Sequence, residues 1–377
     1  MKLPTQSDIA RIAGVSRATV SYVLSGSAGN PSKVSKDTSR RILEAAHDLG
    51  YEPNAAAQSL RLSFTRNIGI NLPDLDNPHM QEILSGAAHE AQKSEHNLLL
   101  VCTEMNPEYE KASIRELLRK RIDGLILLPT FLNILEHDLK LLAQRHSPIV
   151  VAGNFYDHIA GIDSVIPGHD TGARLMMEHL LDLGHRRIGF IFGVLRKPFG
   201  YERLNTYRKM LQERGIEIDE NLVYTSGVRF EDGYQAASYF LNQSPRPTAI
   251  LAINDVLATG AMHALVERNI CVPGEISVAG FDDNDYAAYT NPGLTTIRVN
   301  AREIGKVFVQ LLLKRIESPE RPPEKIRIPS HLIVRASTGR AVDEGCIGRT
   351  QSAGRTQSAS AAPGEVKTKK PKEVLPI

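Results

Sequence analysis

The chain has 377 residues, with 45 lysines and arginines, 43 aspartates and glutamates, three cysteines and no tryptophan. This length predicts two or three domains, and a hydrophobic content of 42% excludes a wholly disordered chain. Three distant cysteines without a CxxC motif disfavour a disulfide framework and a zinc site, and the lack of a long apolar run or a signal-peptide core predicts a cytoplasmic protein without a membrane partner.

Charge is distributed unevenly along the chain. Residues 1–66 carry nine basic and five acidic side chains, residues 67–335 carry 29 and 34, and residues 336–377 carry seven and four. A basic head on an acidic body indicates that the head meets a polyanion such as nucleic acid. A solvated basic face is the simpler alternative.

Residues 5–25, TQSDIARIAGVSRATVSYVLS, predict two short helices joined by a tight turn. Thr5 or Ser7 can cap the first helix, Gly14 suits the left-handed residue that ends it, and Ser16 can cap the second. The apolar positions are Ile9, Ala10, Ile12 and Ala13 in the first helix and Val20, Val23 and Leu24 in the second. This is the pattern of a helix-turn-helix, whose second helix enters the major groove of DNA.

A third helix follows, with Ser35 or Asp37 at its start and Gly50 at its end. Its apolar positions are Ile42, Leu43, Ala46 and Leu49. Together with the first two helices it would bury one core in a small all-α head, formed by Ile9, Val20, Val23, Ile42 and Leu49. A generic helical hairpin is the alternative, but turn chemistry, caps and basic charge together favour the helix-turn-helix.

From Arg66 onward, short apolar runs bounded by Gly and Pro alternate with amphipathic helical segments, which indicates βαβ units and parallel sheets. The alternation restarts after Ser164, so we expect a two-lobed α/β domain with a cleft between the lobes. Ligands of parallel sheets bind beyond the carboxyl ends of the strands, so the loops PDLDNPHM, LPTF and AGNF are expected to line the cleft.

The runs SDIARIAGVSRATVSYVLSG and VSKDTSRRILEAAHDLGYEPNAAAQSLR resemble the DNA-binding head of LacI/GalR-type bacterial transcription regulators. The resemblance implies base reading by Arg17, Ala18 and Tyr22, although Tyr22 replaces the arginine most common there. It implies phosphate positioning by Ser16, Thr19, Ser21 and Asn30. Arg17 can bridge O6 and N7 of guanine, worth about 1–3 kcal/mol of discrimination, or it contacts only phosphate.

Residues 53–61 form an alanine-rich segment in which Asn54 can cap a helix too short to be stable alone. In the resembling family this hinge folds on the operator, beside its twin from a second subunit. The resemblance implies DNA contacts for Asn54, Ala57 and Leu60, with Leu60 as the apolar wedge that opens a minor-groove base step. An ordinary linker whose Leu60 packs on the body is the alternative.

The resemblance spans residues 5–338 and implies a periplasmic-binding-protein-like effector domain for small molecules such as sugars or nucleobases. Landmarks such as HLLDLGHRRIGFI, AILAINDVLATGAMHAL and VPGEISVAGFDD carry it. By position, Arg203 would grip polar groups of the effector, and Asn254 and Asp282 would hydrogen-bond to it. His79 and Met80 fall where the first lobe meets the ligand, and the apolar wall positions are Phe131, Phe155, Phe199 and Val228.

These residues have structural alternatives. Arg203 could be a surface arginine, Asn254 could cap its own helix, and Asp282 with its neighbour Asp283 could cap the next one. His79 and the aromatic residues could belong to the core.

Two positions depart from the family pattern. Gly153 and Gly168 stand where the family often has acidic residues. Fewer carboxylates would leave Arg203, Arg196 and Lys197 less neutralised, which weakens any specific sugar assignment and favours a larger or anionic effector.

The C-terminal segment contains a tandem GRTQSA repeat and a lysine cluster, and it predicts a disordered basic tail. The predicted organisation is a helix-turn-helix domain in residues 1–52, a hinge in 53–65, the effector-binding and dimerisation domain in 66–338 and the tail in 339–377. The tail has no leucine heptad that would support a tetramer.

An enzyme is disfavoured because the chain has no GxSxG, HExxH or GxxxxGK[ST] motif and no GxGxxG after a strand, and no metal or cofactor is expected. A binding protein for import is disfavoured by the basic head and the lack of a signal peptide. The predicted function is that of a transcriptional repressor near the bacterial nucleoid. It would act as a homodimer on near-palindromic double-stranded operator DNA, under control of a small-molecule effector, a carbohydrate or related metabolite.

Overall fold

The computed structural model describes residues 4–24, 34–51, 64–131, 135–193 and 198–342, without the side chains of residues 198–200. The DNA contacts predicted at Asn30, Asn54, Ala57 and Leu60 lie outside the described residues. The loop with Arg196 and Lys197 and all of the predicted tail after residue 342 lie outside them as well.

Three helices form the head: α1 (Gln6–Ala13), α2 (Arg17–Leu24) and α3 (Lys36–Asp48). Thr5 and Asp8 form a capping box at the start of α1, since each side chain accepts a hydrogen bond from the other's backbone amide. Gly14 ends α1 in the left-handed region at φ 65°, and the Ser16 hydroxyl accepts a hydrogen bond from the amide of Thr19 at 3.1 Å. The predicted helix-turn-helix is confirmed.

The head is held together by a small core in which the predicted residues pack against one another: Ile9, Val20, Val23, Ile42 and Leu49. Ile12 and Leu43, apolar positions outside the predicted core, are 56% and 55% exposed. Successive residues on a helix point about 100° apart, so Ile12 and Leu43 turn away when their neighbours Ala13 and Ile42 face the core.

The first lobe is a six-stranded parallel sheet in the order β11-β5-β4-β3-β1-β2. Its strands are β1 (Asn67–Leu72), β2 (Asn97–Cys102), β3 (Gly124–Leu127), β4 (Ile149–Ala152), β5 (Asp163–Pro167) and β11 (Lys325–Ile328). Its helices are α4 (Pro78–Lys93), α5 (Pro107–Arg119), α6 (Glu136–Gln144) and α11 (Ala301–Glu317). The strands β3 and β4 are buried along their whole length, as expected for central strands covered by helices on both faces.

The second lobe repeats this plan, with the strand order β12-β10-β9-β8-β6-β7 and one antiparallel pair, β10 with β12. Its strands are β6 (Ile188–Phe192), β7 (Val223–Thr225), β8 (Ala249–Ala252), β9 (Ser277–Asp282), β10 (Thr295–Val299) and β12 (Ser330–Ile333). Its helices are α7 (His169–Asp182), α8 (Pro198–Glu213), α9 (Phe230–Leu241) and α10 (Asp255–Glu267). The predicted two-lobed α/β domain is confirmed.

The chain passes between the lobes three times, after β5, after β10 and after β11. As a result, α11 and β11 belong to the first lobe although they come late in the sequence, which the repeated βαβ pattern did not predict. Two of the crossings touch: the Gly168 amide donates to the Ile328 carbonyl at 3.0 Å, and the Ser330 hydroxyl donates to the Gly168 carbonyl. These three short connections are the lobe crossings, and they are distinct from the predicted hinge of residues 53–65.

The second lobe extends past the predicted boundary at residue 338. The Gly339 amide donates to the Ser277 hydroxyl at 3.0 Å, and the Ala341 amide donates to the Leu183 carbonyl at 2.9 Å. Residues 339–341 are therefore attached to the second lobe.

Each lobe contains a helix pair that packs backbone against backbone. In the first lobe, a Cβ atom on Gly86 of α4 would collide with the Arg302 carbonyl of α11, and one on Gly305 of α11 would collide with the Ile83 carbonyl of α4. In the second lobe, Gly233 of α9 and Gly260 of α10 stand in the same relation to each other's helix. Only glycine permits such a close approach.

Gly305→Ala tests this packing. We expect it to lower the free energy of unfolding by about 3 kcal/mol or more, because the new methyl group meets rigid backbone and the two helices must separate. Denaturant unfolding of the full chain measures the loss. Ser85→Ala, at an exposed position of the same helix pair, serves as the control and should change stability by less than about 0.5 kcal/mol. Equal stability of the two variants would contradict the prediction.

Candidate functional site

A cavity of about 120 Å³ lies between the two lobes, at the carboxyl ends of strands from both sheets. Its polar lining residues are Asn77, His79, Thr130, His169, Arg203, Asn254 and Asp282. Most of the remaining wall is apolar, and it includes Met80, Ile83, Leu128, Val228 and Phe308. A few polar groups set in apolar walls are typical of a small-molecule site.

Arg203 is buried in the cavity wall and is not a surface arginine, since only 7% of the residue is exposed. Its Nη2 atom donates a hydrogen bond to Nδ1 of His169 at 2.8 Å, and its guanidinium lies over the Phe281 ring at 4.9 Å from the ring centre. Its Nε has no hydrogen-bond partner among the described residues. Arg203 therefore has donor capacity left for a ligand.

His169, which the sequence analysis did not single out, is the first residue of α7 and the direct partner of Arg203. Burial lowers the pKa of His169 well below its ordinary value of 6.5, and the nearby charges of Arg203 and His79 lower it further. The imidazole is therefore neutral and can accept the hydrogen bond from Arg203. The one available signal was its place directly after a strand that ends at the cleft.

His79 and Asp282 face each other across the cavity from opposite lobes. The Nδ1 atom of His79 lies 3.8 Å from a carboxylate oxygen of Asp282, and both side chains are 5% exposed. Asp282 adopts φ 104°, a strained conformation for a residue with a side chain, and such strain concentrates at functional sites. Both residues line the cavity between the lobes.

The sequence left open whether Asp283 and Asn254 serve as helix caps. The Asp283 carboxylate lies 2.6 Å from Arg298 and 2.7 Å from Arg335, so it holds the loop after β9 in place. Asn254 does cap α10, since its side-chain oxygen accepts a hydrogen bond from the Leu257 amide at 2.8 Å, and it also lines the cavity. Its amide nitrogen has no hydrogen-bond partner among the described residues and can donate to a ligand.

The structure brings together six of the predicted wall and ligand residues: His79, Met80, Arg203, Val228, Asn254 and Asp282. Phe131 and Phe155 do not line the cavity. Phe155 packs instead against the core of the first lobe, on the outer side of the sheet. Phe199 lies in the first turn of α8, and its side chain is outside the described part of the chain.

Gly153 and Gly168, which stand where the resembling family often has acidic residues, have close neighbours that leave little room for a side chain. Gly153 adopts φ 83°, and a Cβ atom there would collide with the Phe155 ring. Gly168 lies at the crossing point of the lobes, where a Cβ atom would come within 2.9 Å of the Ile328 carbonyl oxygen. A side chain at either position would therefore require its neighbours to shift.

A second contact joins the lobes at the rim. The guanidinium of Arg229, just before α9, pairs with the Asp76 carboxylate in the loop after β1 and lies 3.9 Å from Asp74. Charges at this exposed position attract weakly. The pair therefore adds at most a weak attraction between the two lobes.

The recognition helix of the head presents the predicted side chains. Arg17, Ala18 and the cap residue Ser16 are exposed at its N-terminal end. Three further predicted contacts are half-buried: Thr19, Ser21 and Tyr22. An exposed N-terminal end is what a helix needs to reach base edges in the major groove.

Within the described ranges, no cluster of three or more His, Cys, Asp or Glu side chains could hold a metal ion. No helix within the same ranges is long and apolar enough to cross a membrane.

Comparison with known proteins assigns both parts of the chain. The lacI family of bacterial regulatory proteins matches residues 5–54, and the periplasmic binding protein-like domain matches residues 177–338. The ribose operon repressor of Haemophilus influenzae is 32% identical over 84% of this chain and 93% of its own length. The chain belongs to the LacI family.

Two further likenesses cover nearly the whole LacI-family chain. The HTH-type transcriptional repressor PurR of Histophilus somni is 31% identical over 89% of this chain and 99% of its own length. A solved Lac repressor dimer, bound to operator and the anti-inducer ONPF, is 28% identical over 90% of this chain and 100% of its own, with a TM-score of 0.77. The LacI-family protein is a DNA-binding transcriptional regulator with an effector-binding domain, not an enzyme, which confirms the predicted function.

His169→Gln tests the buried neutral imidazole of this LacI-family protein. Because the folded state holds the pKa of His169 below 6.5, the unfolded chain binds a proton first as the pH falls, and folding stability is lost below pH 6.5. A proton that binds only the unfolded chain lowers the free energy of unfolding by up to about 1.4 kcal/mol for each pH unit below 6.5. Glutamine keeps an acceptor for Arg203 but does not titrate.

Between pH 7 and pH 5.5, denaturant unfolding should therefore show about 1 kcal/mol more destabilisation of the natural protein than of the His169→Gln variant. His185, with a lowered pKa, and Asp255, with a raised pKa and the opposite effect, are common to both proteins and cancel in the difference. Parallel pH curves would contradict a neutral His169.

Proposed function

We propose that this regulator is a homodimeric repressor that binds a near-palindromic operator through Arg17, Ala18 and Tyr22 and releases or tightens it when a small molecule occupies the cavity between the lobes. The observation that carries the proposal is the cavity itself. Its lining comes from both lobes, so a ligand that contacts Arg203 and Asp282 on one side and His79 on the other favours one lobe arrangement over another. In this reading the protein acts in the cytoplasm, at the nucleoid.

The coupling runs from the cavity to the hinge segments that precede the first lobe. Three short crossings let the lobes turn relative to each other, and the first strand of the first lobe, β1, begins at Asn67, two residues after the predicted hinge of residues 53–65. A change in lobe closure would alter the distance between the two hinges of a dimer and thereby the fraction of folded hinge helix. Coupling of about 1–3 kcal/mol, or roughly 5- to 150-fold in affinity, is common in such systems.

Exposed apolar surface supports the homodimer. Large apolar side chains are exposed on the first lobe at Leu100, Tyr109 and Leu118, and on the second at Phe230, Val266 and Tyr289. The strand β2 is also an edge strand, whose free backbone groups favour pairing or cover. A second copy with two-fold symmetry would cover both lobes and present two recognition helices to two half-sites.

Selection of genomic fragments by the full-length protein identifies the operator, and Arg17→Ala then tests base reading. We expect roughly 5- to 150-fold weaker binding to the selected operator and a much smaller loss on random duplex, as for a side chain bridging a guanine. Fluorescence anisotropy at one fixed salt concentration measures both affinities.

Arg40→Ala is the matched control, because Arg40 carries the same charge on α3, where it is 68% exposed and paired with Asp37. It should affect operator and random duplex to a similar, small extent. An equal loss on both duplexes for Arg17→Ala would show that Arg17 contacts only phosphate.

Sedimentation equilibrium tests the assembly. The protein should sediment at twice its chain mass of 41.5 kDa at the concentrations that saturate the operator. Two recognition helices are needed to read a symmetric site. A single-chain mass under these conditions would exclude the homodimer.

A further inference from the structure

We propose that the effector carries an oxyanion, a carboxylate or a phosphate, which binds between Arg203, His169 and the first turn of α7. The proposal takes from the proposed function only that the cavity is the effector site, and it adds the chemical class of the ligand.

The positive charge of Arg203 has no carboxylate partner among the described residues. No carboxylate oxygen lies within 4.0 Å of its guanidinium nitrogens among the described residues, and its direct partner is the neutral His169. Arg315 shows how the same chain treats a buried guanidinium elsewhere, since it is 2% exposed and both its Nε and Nη2 lie 2.9 Å from the Asp163 carboxylate. A buried cation without such a partner is costly unless a ligand supplies the anion.

The carboxylates nearest to Arg203 do not fill this role. Asp282 and Glu202 act on it only through longer-range attraction. Asp282 faces His79 across the cavity at 3.8 Å, which directs its charge toward the opposite wall. The side of the cavity formed by Arg203 and His169 therefore remains electropositive.

The N-terminus of α7 has no side-chain cap. Two other helices that begin at the cavity are capped by side chains: Asn77 accepts from the His79 amide at 3.0 Å, and Asn254 accepts from the Leu257 amide at 2.8 Å. The cap residue of α7 is Gly168, which has no side chain to offer its first-turn amides an acceptor. Pro167 and His169 line the cavity, so this 14-residue helix begins at its wall. An uncapped helix N-terminus beside a buried arginine is a favourable place for an oxyanion.

The rest of the cavity fits a hydroxylated molecule. Asp282 offers an acceptor and the Asn254 amide nitrogen a donor. The buried hydroxyl of Thr130 has no hydrogen-bond partner among the described residues. The volume of 120 Å³ corresponds to roughly ten water positions, the size of a sugar acid or a small sugar phosphate. The effector thus places its acidic group beside Arg203 and His169 and its hydroxyl groups toward Asp282.

Matched ligand pairs test the charge. The full-length protein is titrated with gluconate and glucitol, ribonate and ribitol, glucose 6-phosphate and glucose, and ribose 5-phosphate and ribose, with the melting temperature and calorimetric affinity as readouts. In at least one pair the acid should bind roughly tenfold or more tightly than its neutral counterpart. The carboxylate and phosphate arms distinguish the two oxyanions. Neutral members that bind as tightly as their acids, or no binding by any acid, would overturn the proposal.

Arg203→Gln should abolish the preference for the acid within the responsive pair. Arg174→Gln is the control, because Arg174 lies on α7 itself but on the surface, paired with Glu178 and Glu213, and it should leave the preference unchanged. A preference that survives in Arg203→Gln would overturn the proposal. If Arg203→Gln does not fold, the comparison within pairs on the natural protein still decides.

Operator binding separates this inference from the proposed function. A neutral sugar that binds more tightly than its acid and changes operator affinity would overturn the oxyanion and leave the regulatory role intact. An acid that binds preferentially without changing operator affinity would support the oxyanion and contradict control through this cavity.

Discussion

The three crossings of the chain between its lobes constrain the rest of the effector domain. They are short, and the first and third are tied together by hydrogen bonds of Gly168 with Ile328 and Ser330. The carboxyl ends of both sheets consequently face one gap, and α7 begins there. In the proposed mechanism, a ligand in this gap acts on the relative position of the two lobes and thereby on the DNA-binding head.

The polar residues of the cavity lie on two sides that differ in charge. Arg203 and the neutral His169 lie on one side, and the contact between His79 and Asp282 spans the other. Because apolar residues form most of the remaining wall, these few groups are the main hydrogen-bonding positions of the cavity. Gly153 and Gly168 add no charge to the protein, and the close neighbours of both favour a residue without a side chain.

Local patterns predicted the head well, because its determinants lie within a few residues of one another. The capping box at Thr5, the left-handed Gly14 and the Ser16 cap are all visible in the sequence. Ile12 and Leu43, which the predicted core did not include, are exposed because their neighbours Ala13 and Ile42 occupy the helix face toward the core. In the body, the alternation of strands and helices predicted the two-lobed α/β fold, but not that α11 and β11 return to the first lobe.

The sequence by itself determined the helix-turn-helix, the fold class, the family and the cavity residues that occupy recognisable motifs, such as Arg203 and Asp282. Short-range hydrogen bonds and hydrophobic periodicity encode the helix-turn-helix and the fold class directly, whereas the family and the positions of Arg203 and Asp282 followed from the resemblance of their motifs to those of LacI/GalR-type regulators. Only the tertiary structure decided that His169 is the partner of Arg203, that Phe155 packs against the core of the first lobe, and that no carboxylate of the described residues lies within 4.0 Å of the Arg203 guanidinium. These facts depend on residues far apart in the chain that meet because the lobes pack, and no local pattern records them.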